Sequence, residues 1–173
     1  VAPVAGVKDS TMESPKEFLA AVEAEDDIGL VIRAHILIEE QLNKMFDTFF
    51  LRPEYLEKMN LDYHQKVHLA ISSGLSPLLE KPLKSIGSIR NKFAHQSDQI
   101  LDSGIVNNLY KSFDNESKNN FHKTWKLVSD NNDPEEVTSF NQLDPKERFR
   151  LMAIIIHKYL RICLNDLKRR SGL

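Results

Sequence analysis

Apolar residues recur at intervals of three and four along most of this chain, which is the spacing of a helix that buries one side. One long stripe runs between about residues 26 and 50, and another follows Asp144-Pro145-Lys146-Glu147 towards the C-terminus. The first stripe consists of Leu30, Val31, Ala34, Ile38, Leu42, Met45 and Phe49. No stretch alternates apolar and polar residues as a half-buried strand does. The pattern predicts an all-α protein built as an up-and-down helical bundle.

Capping residues, prolines and glycines predict where the helices begin and end. The first helix is expected to begin at Ser14-Pro15-Lys16-Glu17, because serine caps a helix and proline suits its first position. A short helix is predicted over 53–60 and a longer one from about Tyr63 to Ser73. Pro82 is predicted to start the helix that carries the candidate chemistry.

The C-terminal half has a weaker pattern before its final long helix. A helix is predicted over about Ile105 to Phe113. Residues 114–133 are rich in Asn, Lys, Ser and Asp, so no regular structure is predicted there. Asp133-Pro134 again has the form of a helix start. We interpret residues 1–12 as a flexible N-terminal lead and 13–173 as a single helical domain.

Composition narrows the classes of function. The chain has 173 residues, a formal charge of −2 and 28% charged residues, so its overall charge favours neither nucleic acid nor a membrane surface as a partner. A single cysteine excludes an internal disulfide and a cysteine-rich zinc module, and cytoplasmic localisation is expected. His64 and His68 have the spacing of two metal ligands, but Gln65 stands where a zinc peptidase has glutamate. We interpret them as a surface pair and expect no metal and no other cofactor.

The strongest candidate for chemistry is the segment from Arg90 to His95. Ile86, Ile89 and Phe93 form the apolar stripe of this helix, and Arg90 and Asn91 lie off it. On a regular helix Arg90 is turned about 140° from His95, so the two side chains do not converge easily. Either the helix ends near Ala94 and the imidazole turns back, or Arg90 meets the histidine of a second copy. Gly87 inside the helix indicates close approach of a neighbour, which would suit a dimer.

Glu39 is the best candidate from the long second helix. It flanks the apolar stripe beside His35, whereas Glu40 points to the opposite side. The competing interpretation is that His35 and Glu39 are an ordinary pair on the helix surface.

The segment Ile89-Arg90-Asn91-Lys92-Phe93-Ala94-His95 resembles the Arg-polar-x-x-x-His motif of the HEPN superfamily, and within it the mannitol operon repressor-like (MltR) group. The similarity extends upstream through Ser85-Ile86, Gly74-Leu75 and Lys66-Val67-His68-Leu69-Ala70 to Leu37-Ile38-Glu39-Glu40-Gln41-Leu42, and so covers roughly residues 26–96. It implies a helical homodimer with an Arg/His site shared between two copies. It also implies a metal-independent endoribonuclease, of the kind found in toxins and defence systems.

The residues suit that chemistry. A neutral His95 can accept the proton of a ribose 2′-hydroxyl, and Arg90 can hold two phosphate oxygens. Asn91 can orient the imidazole or bind the phosphate. Two alternatives stay open from the sequence: Arg90 pairs with an acid such as Glu39 while His95 caps the helix, or the chain is a non-catalytic MltR-like transcriptional regulator that binds a protein partner.

Overall fold

The computed structural model describes residues 15–23, 25–96, 98–129 and 139–171, and the regular structure within these ranges is entirely helical. The prediction of an all-α protein is confirmed. The α-helices in these ranges are α1 (Pro15–Glu23), α2 (Asp27–Phe49), α3 (Glu54–Lys58), α4 (Tyr63–Ser72), α5 (Glu80–His95), α6 (Ser103–Ser112), α7 (Asn115–Ser129) and α8 (Pro145–Ser171). Short 3₁₀ turns at Pro77–Leu79 and Phe140–Gln142 precede α5 and α8.

Helix α2 lies at the centre of the molecule, where it packs against α8, α5, α1 and α4. The predicted apolar stripe of α2 is the reason: its side chains from Leu30 to Met45 are buried, and Phe49 at the end is half-buried. Full burial of one large aliphatic side chain contributes about 1.5–3 kcal/mol, so this stripe dominates the folding of the bundle. The stripe on α8 completes the same core through Phe149, Met152 and Ile156.

Aspartates define several helix starts. The carboxylate of Asp26 accepts a hydrogen bond from the Gly29 amide at 2.7 Å, and Asp62 forms a reciprocal capping box with Gln65. Helix α5 begins at Glu80, two residues before the predicted start, because the 3₁₀ turn at Pro77–Leu79 leads directly into it. A proline is tolerated within the first turn of a helix, where its missing N–H has no partner to lose.

The sequence leaves the structure of residues 114–133 open, and within that range Asn115–Ser129 forms helix α7. Asp114 caps the helix by accepting hydrogen bonds from the amide and hydroxyl of Ser117. Phe121 then anchors α7 by stacking against Phe140. One buried aromatic side chain and one helix cap therefore stabilise a helix in a segment whose composition is mostly polar. The helix start predicted at Asp133-Pro134 lies outside the described residues.

None of the helices in the described ranges is long and apolar enough to cross a membrane. The buried apolar residues of these ranges belong to one cluster, to which every helix except α3 contributes.

His157 of α8 is fully buried in this cluster, and neither of its ring nitrogens has a hydrogen-bond partner among the described residues. Its ring packs against Phe18 of α1, with the ring centres 4.9 Å apart. Burial, assisted by the positive charges of Arg161 and Lys44, lowers the pKa of His157 to about 4. The folded protein therefore holds this imidazole in its neutral form at pH 7.

His157 should make the fold sensitive to acid. Its pKa is about 4 in the folded state against an ordinary 6.5, so between these values the unfolded chain binds a proton that the folded chain does not. The contribution of His157 to stability should fall as the pH decreases from 6.5 to 4 and stay constant below 4, with a loss from this group on the order of 3 kcal/mol. Urea unfolding at several pH values would measure it.

His157→Leu should reduce this pH dependence, whereas His95→Gln at an exposed position should leave it unchanged. Equal pH dependence in the wild-type protein and His157→Leu would contradict the assignment to His157.

Candidate functional site

The candidate site lies where α5 passes the start of α4 and the middle of α2. Ile86, Ile89 and Phe93 of α5 point into the core, as predicted, and this burial turns Arg90 and Asn91 towards the surface. A cleft of about 390 Å³ opens beside them, here called the Arg90 cleft. It is lined by His35, Glu39, Leu61, Asp62, Tyr63, His64, Gly87, Arg90 and Asn91.

The Arg90 side chain is half-buried in this cleft and has no acidic partner within the described part of the chain. Its Nη1 donates a hydrogen bond to Oδ1 of Asn91 at 3.0 Å. Since Oδ1 is the acceptor in this bond, Nδ2 of Asn91 keeps its two N–H donors for another group. Both side chains therefore present hydrogen-bond donors to the cleft.

Glu39 lines the same cleft, but its charge is taken by Lys66 of α4. The Lys66 Nζ lies 2.7 Å from Glu39 Oε1, and Nδ1 of His35 lies 3.7 Å from Oε2. An Arg90–Glu39 pair, one of the alternatives left open by the sequence, is thus replaced by a Lys66–Glu39 pair. The other alternative for Glu39 is also corrected: its neighbour His35 has a side chain only 3% exposed, so the two are not an ordinary surface pair.

His35 is held neutral at the wall of the cleft. Burial lowers the pKa of His35 to about 4; the negative charge of Glu39 opposes this shift, and the positive charges of Arg90, Lys66 and His64 add to it. His35, His64 and Arg90 line the same cleft, which is why the two positive groups act on the His35 ring. At neutral pH His35 is therefore an uncharged ring that packs against Tyr63 at the wall of the cleft.

Tyr63 and Gly87 set the distance between α4 and α5. A Cβ atom on Gly87 would lie 2.6 Å from Cδ1 of Tyr63, far inside a van der Waals contact. The Tyr63 ring also packs against His35, with ring centres 4.3 Å apart. The close neighbour that the sequence predicted for Gly87 is thus Tyr63 of the same chain, so Gly87 no longer argues for a dimer.

The Tyr63 hydroxyl is buried without a hydrogen-bond partner among the described residues. Burial, reinforced by the negative charge of Glu39, raises the pKa of Tyr63, which therefore stays protonated. The phenol is therefore neutral, and its buried hydroxyl offers no hydrogen bond to a ligand in the cleft.

His95 does not join the other three predicted site residues. It is the last residue of α5, its side chain is exposed, and it is not among the residues that line the cleft. Within the described ranges it makes no hydrogen bond, so a capping role for its side chain is not found either. The structure brings Glu39, Arg90 and Asn91 together and leaves His95 on the open surface.

His64 is a candidate functional residue that the sequence pattern does not identify. The spacing of His64 and His68 predicts a pair on the surface, but the two side chains point to different environments. His64 is half-buried in the cleft, whereas His68 is exposed with its Nε2 3.4 Å from Glu80. The capping box that starts α4 at Asp62 is the one sequence signal that places His64 in the first turn. The described ranges contain no group of three or more metal-ligating side chains.

Comparison with protein-family models, with curated proteins and with solved structures found no significant match to this chain. The resemblance to the HEPN superfamily therefore depends on the similarity described over residues 26–96 and stays a prediction.

Gly87→Ala tests the contact that shapes the cleft. Alanine in a regular helix is favoured over glycine by about 1 kcal/mol, but here its Cβ would displace the Tyr63 ring. We expect a net destabilisation on the order of 1–3 kcal/mol, as for other overpacked sites. Urea unfolding would measure it, with Ser88→Ala at the exposed neighbouring position as the control.

A double-mutant cycle with Tyr63→Ala identifies the cause, because the clash disappears when the ring is removed. Additive effects of Gly87→Ala and Tyr63→Ala would show that the contact does not limit the approach of the two helices.

Proposed function

We propose that this chain is a metal-independent endoribonuclease of the HEPN type, and that its Arg90 cleft holds the scissile phosphate. The observation that carries the proposal is the state of Arg90: within the described residues its guanidinium has no carboxylate partner, although Glu39 lines the same cleft. Lys66 holds that carboxylate at 2.7 Å. An arginine kept free of acids in a cleft is available to a phosphate.

The cleft offers the donors that a phosphodiester needs. Arg90 keeps its charge at any working pH and can hold two phosphate oxygens with its planar fork. The amide nitrogen of Asn91 adds a neutral donor beside it. These groups would stabilise the negative charge that develops on the phosphorane oxygens during cleavage. Glu39 acts here as a positioning residue, since it holds Lys66 and contacts the His35 ring.

In this proposal His95 is the general base that removes the proton from the ribose 2′-hydroxyl. Its exposed side chain lies about 140° around the helix axis from Arg90, so it does not serve the cleft of its own chain. The His95 of a second copy meets the phosphate bound at Arg90, which makes the active enzyme a homodimer. A two-fold axis then produces two equivalent sites.

Cleavage of an RNA oligonucleotide in the presence of a chelator tests the assignment. His95→Ala should reduce the cleavage rate by about 10²–10⁴, the usual effect of losing a positioned acid or base. Arg90→Lys should reduce it about tenfold or more, because lysine keeps the charge and loses the paired hydrogen bonds. Arg33→Lys provides the control, since Arg33 is exposed and pairs with Glu25 on another side of α2.

The proposal fails if the wild-type protein does not cut RNA, or if His95→Ala and Arg90→Lys cut it at the wild-type rate. Activity that is lost with the chelator and restored by zinc or manganese would exclude the metal-independent mechanism.

Complementation tests the shared site. Arg90→Ala and His95→Ala should each be inactive alone, but a mixed dimer contains one complete site. Random pairing on co-expression should therefore restore about a quarter of the wild-type activity. No recovery, or a wild-type protein that is active and monomeric by light scattering, would contradict the shared site.

A second candidate function, a non-catalytic regulator that binds a protein partner, is favoured by one surface. Leu51, Tyr55 and Met59 are 99%, 57% and 62% exposed and follow one another at four-residue intervals around α3. Exposed apolar side chains within one short segment are a feature of surfaces that bind other proteins. Two results together would support this alternative. The wild-type protein would not cleave RNA, and the double substitution Leu51→Ser with Met59→Ser would abolish its regulatory effect.

A further inference from the structure

The two histidines of the Arg90 cleft differ in their surroundings. His35 is buried beneath Tyr63 and beside Glu39, where an approaching substrate cannot reach most of its ring. His64 is half-buried at the cleft wall, and within the described ranges it makes no hydrogen bond and no ion pair. Only one of the two imidazoles is thus free to exchange a proton with a bound molecule.

The orientation of His64 follows from the packing beneath it. Its ring meets the edge of Tyr63 at a centre-to-centre distance of 6.0 Å and an angle of 74°. Tyr63 in turn lies against Gly87, and Cε1 of His64 is 3.7 Å from the position that a Cβ on Gly87 would occupy. His64 therefore lies next to α5, with its ring against Tyr63.

That position places His64 at one end of the row that carries Arg90 and Asn91. Gly87, Arg90 and Asn91 are three and four residues apart, so they lie on the same side of α5. The positive charges of Arg90 and His64 also both lower the pKa of His35, a residue of α2 that lines the same cleft. One phosphate in the cleft would meet the guanidinium, the amide and the His64 ring from the same side.

Cleavage of a phosphodiester by its neighbouring 2′-hydroxyl requires two proton transfers. The 2′-oxygen forms a bond to phosphorus as its proton leaves to a base, and the bond from phosphorus to the 5′-oxygen breaks as that oxygen receives a proton from an acid. One imidazole cannot do both within a single step. A partner for His95 is therefore needed on the leaving-group side of the phosphate.

We propose that His64 is this general acid: its imidazolium donates a proton to the departing 5′-oxygen of the phosphodiester held by Arg90 and Asn91. The products are a 2′,3′-cyclic phosphate and a free 5′-hydroxyl, and the neutral His64 regains its proton from solvent. The inference depends on the proposed ribonuclease function. It adds a catalytic residue from α4, outside the Arg–His segment of α5.

Two substrates separate the acid from the base. An RNA oligonucleotide loses a poor leaving group that needs the proton, whereas uridine 3′-(4-nitrophenyl phosphate) loses a phenolate that leaves without one. His64→Gln should reduce RNA cleavage by about 10²–10⁴ and leave cleavage of the aryl ester within about tenfold of wild type. His95→Gln should reduce both reactions, because both need the 2′-hydroxyl proton to be removed.

His68→Gln is the matched control, since His68 lies one turn further along α4 and faces Glu80 outside the cleft. It should change neither reaction. Activity of His64→Gln on the aryl ester also shows that this variant is folded, so a loss confined to RNA is a loss of chemistry.

Three outcomes would overturn the proposal. RNA cleavage by His64→Gln within about twofold of wild type would show that His64 transfers no proton, while the ribonuclease function would stand. An equal loss on both substrates would assign His64 a binding or structural role. A wild-type protein that cleaves neither substrate would remove the ribonuclease function itself, and the acid with it.

Discussion

The fold depends on the burial of one side of α2. Its apolar stripe is enclosed by α8, α5, α1 and α4, so the orientation of α2 about its own axis is fixed by the hydrophobic effect. His35 and Glu39 lie at the margin of that stripe, one turn apart. The same burial that folds the bundle therefore presents these two side chains to the groove between α4 and α5. A rotation of α2 about its own axis that moved these two side chains would also expose apolar residues of the stripe to water.

A second constraint is the contact between Tyr63 and Gly87. The missing side chain at Gly87 lets an aromatic ring lie directly on the backbone of α5, and that ring supports both His35 and His64. The cleft is thus formed beside a close helix approach, and Leu61 and Asp62 at the start of α4 complete its lining. A glycine that weakens a helix by about 1 kcal/mol is compensated by the packing that it permits.

The charge distribution of the cleft depends on which groups its two carboxylates contact. Glu39 is held by Lys66, and Asp62 accepts the Gln65 amide at the start of α4 at 2.9 Å. Neither carboxylate forms an ion pair with Arg90, whose described hydrogen bond is to a neutral amide. The result is a cationic donor surrounded by neutral or satisfied groups. An anionic ligand, as proposed for this cleft, would not have to displace an internal carboxylate from Arg90.

The sequence was sufficient for the helices with a strong apolar period. The extents of α2, α4 and α8 follow from stripes and caps that are local in the chain, and so do the buried positions Ile86, Ile89 and Phe93 of α5. It was insufficient for α7, because the contact that stabilises this helix joins Phe121 to Phe140 from another segment. The composition of residues 114–133 alone does not predict a contact with a residue outside that segment.

For the candidate site, the sequence determined that Glu39 flanks the core stripe of α2 and that Arg90 and Asn91 lie off the core stripe of α5, since helical periodicity alone settles those positions. Only the tertiary structure decided which side chains share a cleft. It assigned Lys66 to Glu39, placed Tyr63 against Gly87, brought His64 to the Arg90 cleft and left His95 outside it. The physical reason is that charge pairing and close packing act between helices that are distant in the chain, and their outcome depends on how the helices meet.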